Sequence, residues 1–355
     1  MNVDNHERQP EANIDDDSGF VAKQADRRKF SADMRTTMQT VGYAHDFPIP
    51  PVGPGRCAMA RFTIALLLAF WGLAGGSSAL EKTPVQTSAP AGLRVFFASH
   101  SLMWYVPQPL AEMAQAAGIK GHQLIGLQAL GASRTLQHWN LPDDKNVAKR
   151  ALKTGGVDVF VMSPISFPDE GIENFVKLGL EHNPNIRFIV QLSWGGGDID
   201  NQDFPKGAFD NVDKEKSPDQ LKGLFERNIK AGEAQANELN EKYGQGKKII
   251  ALVPSAQAMV AIRTKIANKE WQGLTKQGEL YIDAVHPSPP MEALNTYMHF
   301  AVLYGRSPVG RPIPTLLKNA KHEAWDEKFN RSLQELAWET VSSYPYSLVI
   351  GPKEE

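Results

Sequence analysis

Arg94-Val95-Phe96-Phe97-Ala98-Ser99-His100-Ser101-Leu102 is the stretch whose reading decides the fold. Val95 to Phe97 is a short apolar run of the kind that fills a buried strand, and it breaks into a polar Ser-His-Ser turn. Beyond the turn, Leu110, Met113, Ala114 and Ala117 fall at i, i+3, i+4 and i+7, with Gly118 placed to end the helix they imply. The same change of period recurs downstream. Further β-rich runs lie at Gln123 to Gln128, Val157 to Val161, Ile186 to Leu192 and Lys248 to Val253, while Ile172, Phe175, Val176 and Gly179 repeat the helical spacing between the third and fourth. Strands alternating with helices imply parallel pairing, because each crossover helix returns the chain to the same end of the sheet. The expectation is an α/β domain whose connecting loops converge beyond the carboxyl ends of the strands, so the residues just after each strand are the ones to inspect for chemistry.

The 355 residues, 42% hydrophobic and 22% charged, have ordinary globular composition. Lys and Arg number 38 against 40 Asp and Glu, a balance without the electrostatic footprint of a nucleic-acid or anionic-membrane partner. Neither partner is expected. The one cysteine, Cys57, lies upstream of an apolar segment that reads as an export signal. In that segment Met59-Ala-Arg61 precedes the run Phe62 to Trp71, and small residues follow to Ser77-Ser78-Ala79. The run is shorter than the ~20 residues a membrane-spanning helix needs, so the reading is a signal peptide over residues 59–79, cleaved after Ala79, with no permanent span. Residues 1–58 are polar and without sustained periodicity, and read as a disordered extension or as sequence ahead of a true start at Met59. Residues 80–92 read as a linker, and 93–355 as one folded domain placed in the periplasm or outside the cell.

Three turns carry candidate chemistry. After the first strand, Ser101 sits where a helix N-terminus would offer backbone N–H groups to an oxyanion, although a simple capping loop has the same composition. After the second comes Leu130-Gly131-Ala132-Ser133-Arg134, in which Gly131 lets the backbone approach a ligand closely. Far downstream, Asp283-Ala-Val-His286 has the spacing that brings a carboxylate to one imidazole nitrogen and leaves the other free for a serine. Such a pair alone is usually a structural hydrogen bond. Its weight comes from the order of the three turns along the chain.

That order resembles the SGNH (GDSL-type) hydrolase superfamily over nearly all of residues 93 to 345. The family's first block, Gly-Asp-Ser-Leu, aligns with Ser99-His100-Ser101-Leu102, of which only Ser101 and Leu102 match. Gly131 matches the glycine of the second block, and Asp283 with His286 match the Asp-x-x-His block unchanged. The third block, Gly-x-Asn-Asp, has no counterpart in Met162-Ser163-Pro164-Ile165-Ser166, so its side-chain amide donor is missing. The resemblance implies a three-layer α/β sandwich with a five-stranded parallel, flavodoxin-like sheet between helices. It implies a serine esterase with Ser101, Asp283 and His286 as triad, the N–H groups of Ser101 and Gly131 as oxyanion donors, and no cofactor or metal. The implied substrate is a small-molecule or glycan ester. Ser163 is the first candidate to replace the missing donor, ahead of Ser166, Gln191 and Ser193, and Arg134 is either a contact for a substrate carboxylate, with His138 nearby, or one arm of a surface salt bridge. The rival reading is an exported binding protein that keeps the pocket for a glycan or envelope ligand without turnover.

Other features read as structural. The acidic loop Asp198-Ile-Asp200-Asn201-Gln-Asp203 lacks the glycine and the terminal glutamate of a calcium loop. Glu226 to Lys242 reads as a charged helix with a solvated face, and Trp325, Phe329, Leu333 and Leu336 as the packing stripe of a C-terminal helix.

Overall fold

The apolar runs after Arg94 pair edge to edge in the computed structural model, which describes residues 91–195 and 213–349. Five strands form: β1 (Arg94–Ser99), β2 (Gln123–Ala129), β3 (Val159–Met162), β4 (Arg187–Gln191) and β5 (Ile250–Val253). They pair in the order β2-β1-β3-β4-β5, every neighbour parallel. This is the expected flavodoxin-like sheet. β3 and β5 are buried along their whole length, which is why they read as unbroken apolar runs without alternation.

The register aligns Phe96 with Phe160 and Phe160 with Phe188, so three aromatic rings cross the middle of one sheet face. Phe96 stacks on Phe160 at 5.4 Å, and Phe175, from the helix above, closes on Phe160 at 5.0 Å. That face is covered by α3 (Val147–Lys153), α4 (Glu170–His182) and α6 (Glu226–Tyr243), with the short α2 (Thr135–Trp139) packed on α4. The other face carries α1 (Pro107–Ala116), α7 (Ser255–Ala267), α8 (Pro289–Tyr304) and α10 (Glu327–Ser342), with α5 (Pro218–Leu221) and α9 (Thr315–Asn319) as short connectors on α7 and α8. The result is a three-layer sandwich. α8 is buried nearly all round, including Asn295 and Thr296 in its middle, because α1, α7, α10 and the sheet surround it.

Two helices refine the sequence expectation. The charged α6 buries a narrow stripe of Gly232, Ala236, Leu239 and Asn240. The Asn240 amide then pairs with the edge of β5, donating to the Ile250 carbonyl and accepting from the Ile249 and Ile250 N–H groups. The C-terminal helix begins after Trp325, because Asp326 caps it through the Phe329 N–H; Trp325 instead stacks outside the helix on Phe329.

No helix among the described residues is long and apolar enough to cross a membrane. All described residues belong to one compact unit. The expected extension, signal segment and most of the linker, together with the acidic loop 198–203, also lie outside the described residues.

Candidate functional site

β1 delivers the chain to the carboxyl edge of the sheet at Ser99, and His100 starts the next helical turn. The His100 carbonyl accepts from the N–H groups of Met103 and Trp104, and its Nδ1 accepts from the Leu102 N–H at 3.2 Å. The imidazole thus does the work of a helix cap. Burial pushes its pKa down to about 3, outweighing the pull of the Pro164 carbonyl, so the ring stays neutral with Nδ1 as acceptor and Nε2 carrying the proton. That Nε2–H faces Pro164 without meeting hydrogen-bond geometry. Ser101 therefore opens a hydrogen-bonded turn that leads into α1, with its side chain partly exposed.

The acid–base loop is shaped by Asp283. Its Oδ1 accepts from the N–H groups of Val285 (3.0 Å) and His286 (2.8 Å), folding the turn on itself, and Oδ2 meets His286 Nδ1 at 2.7 Å. His286 Nε2 then lies 2.9 Å from Ser101 Oγ. With Nδ1–H held by the carboxylate, Nε2 is left as the acceptor for the serine proton. Burial opposes ionisation of Asp283, but the hydrogen bonds from the His286 ring and from two backbone N–H groups prevail and lower its pKa to about 2.

The loop is also held from outside. Tyr281 and Pro287 pair across its base, Trp194 Nε1 donates to the Val285 carbonyl at 3.0 Å, and Lys214 Nζ donates to the Ala284 carbonyl. Beneath it Arg263, fully buried, bonds to Gln277, to the Tyr281 hydroxyl and to the Lys214 carbonyl. Apart from Tyr281 and Pro287, these supports come from residues 194 to 277 and carry no sequence signature that would single them out.

The structure distributes the remaining candidates. Gly131 is exposed just beyond β2, with nothing within 4 Å of where a Cβ would sit, so its backbone is open to a ligand. The next residue, Ala132, is held at φ 44°, a left-handed conformation that a non-glycine residue adopts only under constraint. The constraint is visible: Ser133 Oγ bonds to the Leu130 carbonyl and to His138 Nε2 at 2.9 Å, and His138 is buried against Gln128. His138 thus supports the turn from below. Arg134 is engaged elsewhere, donating to the Pro168 carbonyl and pairing with Glu170 at 2.9 Å, which is the surface salt bridge. Ser163 sits at the end of β3, with its N–H on the Ala98 carbonyl and its hydroxyl buried without a hydrogen-bond partner. Gln191 and Ser193 are bonded to each other beneath the Ser101 turn, and Ser166 is exposed. Asp169, which sequence reading passes over, ties the second and third connecting loops together by accepting from the N–H groups of Thr135, Leu136 and Gly171.

Among the described residues no group of three His, Cys, Asp or Glu side chains could hold a metal ion. The chain matches no family model, and no curated protein and no solved structure was found to match it. Chemically, the constellation offers a hydroxyl whose proton has an acceptor and an acceptor whose positive form has a carboxylate, while the exposed Gly131 backbone follows the neighbouring strand, β2.

Proposed function

We propose that this chain is an exported serine hydrolase of the SGNH type that cleaves a small acyl or carbohydrate ester. The observation that carries the reading is the unbroken contact from Ser101 Oγ through His286 to Asp283, at 2.9 and 2.7 Å, on the edge of a parallel sheet where loops converge. Ser101 Oγ attacks the acyl carbonyl while His286 Nε2 takes its proton, and the carbonyl electrons move to the oxygen. On collapse the ester C–O bond breaks and His286 returns the proton to the leaving alkoxide. Water, deprotonated by the same nitrogen, then attacks the acyl-enzyme and releases the acid and the free serine. Asp283 keeps the imidazole in the tautomer this requires and stabilises the imidazolium. The Ser101 and Gly131 N–H groups hold the oxyanion, and Ser163 is the candidate third donor.

Incubation with a serine-directed organophosphonate should label Ser101, and Ser101→Ala should abolish both labelling and hydrolysis of p-nitrophenyl acetate and acetylated sugars. Label on Ser99, or hydrolysis surviving in Ser101→Ala, would overturn the assignment. Export rests on the Met59 to Ala79 segment. Recovered protein should begin after Ala79; a mature chain that retains Phe62 to Trp71 in the membrane would contradict it.

One observation favours a second reading, an exported binding protein for a glycan or envelope ligand. The loop after β3 has no side-chain amide, and its nearest hydroxyl, on Ser163, is sealed from solvent. Such a protein would bind acetylated glycans but neither label nor turn over.

A further inference from the structure

The peptide that follows Ser101 is clamped from both sides by buried side chains. The Leu102 N–H is taken by His100 Nδ1, and the Leu102 carbonyl accepts from Gln191 Nε2 at 3.2 Å. Gln191 comes from the end of β4 and is fully buried. Its orientation is set by Asn295 of α8, also fully buried, whose Nδ2 donates to Gln191 Oε1 at 2.9 Å and to the Tyr105 hydroxyl at 2.8 Å. Ser255 Oγ in turn donates to Asn295 Oδ1 at 2.6 Å. The chain of donors has one direction. The Leu102 carbonyl can only accept, which turns the Gln191 N–H groups toward Leu102 and Ser193; its Oε1 then faces the Asn295 N–H groups, and the Ser255 hydroxyl serves the remaining Asn295 oxygen.

α8 is also the helix into which the His286 loop runs directly, with only Pro287 and Ser288 between. Ser288 anchors that junction, its N–H on the Leu280 carbonyl and its hydroxyl on the Glu279 carbonyl at 2.6 Å. One rigid element therefore carries His286 at its entrance and grips the Ser101 turn through Asn295 on its second turn. We propose that Asn295, acting through Gln191, is a positioning residue that sets the Ser101–His286 separation. The inference rests on the hydrolase reading for its kinetic consequence, although the geometric claim stands on the network itself.

Asn295→Asp tests it with almost no change of shape. An aspartate offers only acceptor oxygens or a single O–H, so the Gln191 amide gains by turning its N–H groups toward residue 295 and away from the Leu102 carbonyl. The expected result is a fall in kcat on the order of 100-fold, the scale of a misplacement of about 1 Å, with KM nearly unchanged and an equal fall in the rate of phosphonate labelling of Ser101. Thr296→Val is the control. Thr296 is the next residue on α8, equally buried, with its hydroxyl spent on the Glu292 carbonyl, so the variant should lose stability while labelling at the native rate. If the two variants label alike, or if Asn295→Asp labels like the native protein, the positioning role is overturned. A crystal structure of Asn295→Asp decides the geometry even if the native protein neither labels nor turns over, in which case the hydrolase reading fails separately. The contact of 2.9 Å between Ser101 Oγ and His286 Nε2 should open beyond about 3.5 Å, and its retention would refute the proposal.

Discussion

Glu292 gives the sharpest test of how burial acts on this fold. It lies in the first turn of α8 beside Tyr105, and burial raises its carboxyl from 4.5 to about 7. The folded chain therefore holds a proton there that the unfolded chain gives up. A raised carboxyl pKa contributes stability that is complete below pH 4.5 and is lost as pH rises through 7. The gap of about 2.5 pH units, at 1.36 kcal/mol per unit, sets an upper value of about 3 kcal/mol lost by alkaline pH. Glu292→Gln keeps the shape and removes the titration. Urea unfolding of both proteins at pH 5 and pH 8.5 should show similar stabilities in acid and a variant more stable by about 1 to 3 kcal/mol in base, because every other titrating group is shared and cancels in the difference. Stability curves that stay parallel across this range would show that the Glu292 carboxyl is solvated after all.

Asp283→Asn should leave the turn largely folded but present an amide to His286 Nδ1, favouring the wrong tautomer; kcat should drop on the order of 10⁴-fold, and a loss under tenfold in initial-rate assays would remove Asp283 from the relay. Ser163→Ala should lower kcat about a hundred- to a thousand-fold at constant KM if its hydroxyl turns toward the oxyanion in the reacting complex. An unchanged kcat with a raised Tm would instead assign that buried hydroxyl to the core, where its removal relieves an unpaired polar group.

The sheet was legible because strand and helix periods alternate cleanly. Val95 to Phe97 and Val157 to Val161 announce buried strands, and the helices between them leave parallel pairing as the outcome. Asp283 and His286 were legible as a pair because a three-residue spacing is local, so the turn alone brings them together. The contact to Ser101 crosses 185 residues and could be proposed only from the order of the blocks. What stayed hidden is the polar support. Asn295 is an asparagine within an apolar helix, and nothing in Ala293-Leu294-Asn295-Thr296 says whether it faces solvent or the back of another turn. Arg134 was ambiguous for the same reason. Its partner Glu170 lies 36 residues away, across the loop that Asp169 holds in place.

The two departures in the first block belong together physically. In place of an acidic residue the chain has His100, which caps the Ser101 turn only while its Nδ1 is an acceptor, that is, only while the ring is neutral. A solvent-exposed histidine would lose that role near pH 6.5. Burial prevents that loss by pushing His100 down to about 3, so the ring stays neutral and the cap persists at neutral and mildly acidic pH. Ser99 fits the same arrangement, since its buried hydroxyl donates to the His100 carbonyl at 3.0 Å and joins β1 to the cap. Ser99 and His100 together thus hold the Ser101 turn, and neither takes part in the contact between Ser101 and His286. On the proposed hydrolase reading, the buried and unpaired Ser163 hydroxyl does not supply an oxyanion donor in the position it holds here, so a shortfall in rate should fall on oxyanion stabilisation and leave the Ser101–His286–Asp283 contacts unchanged.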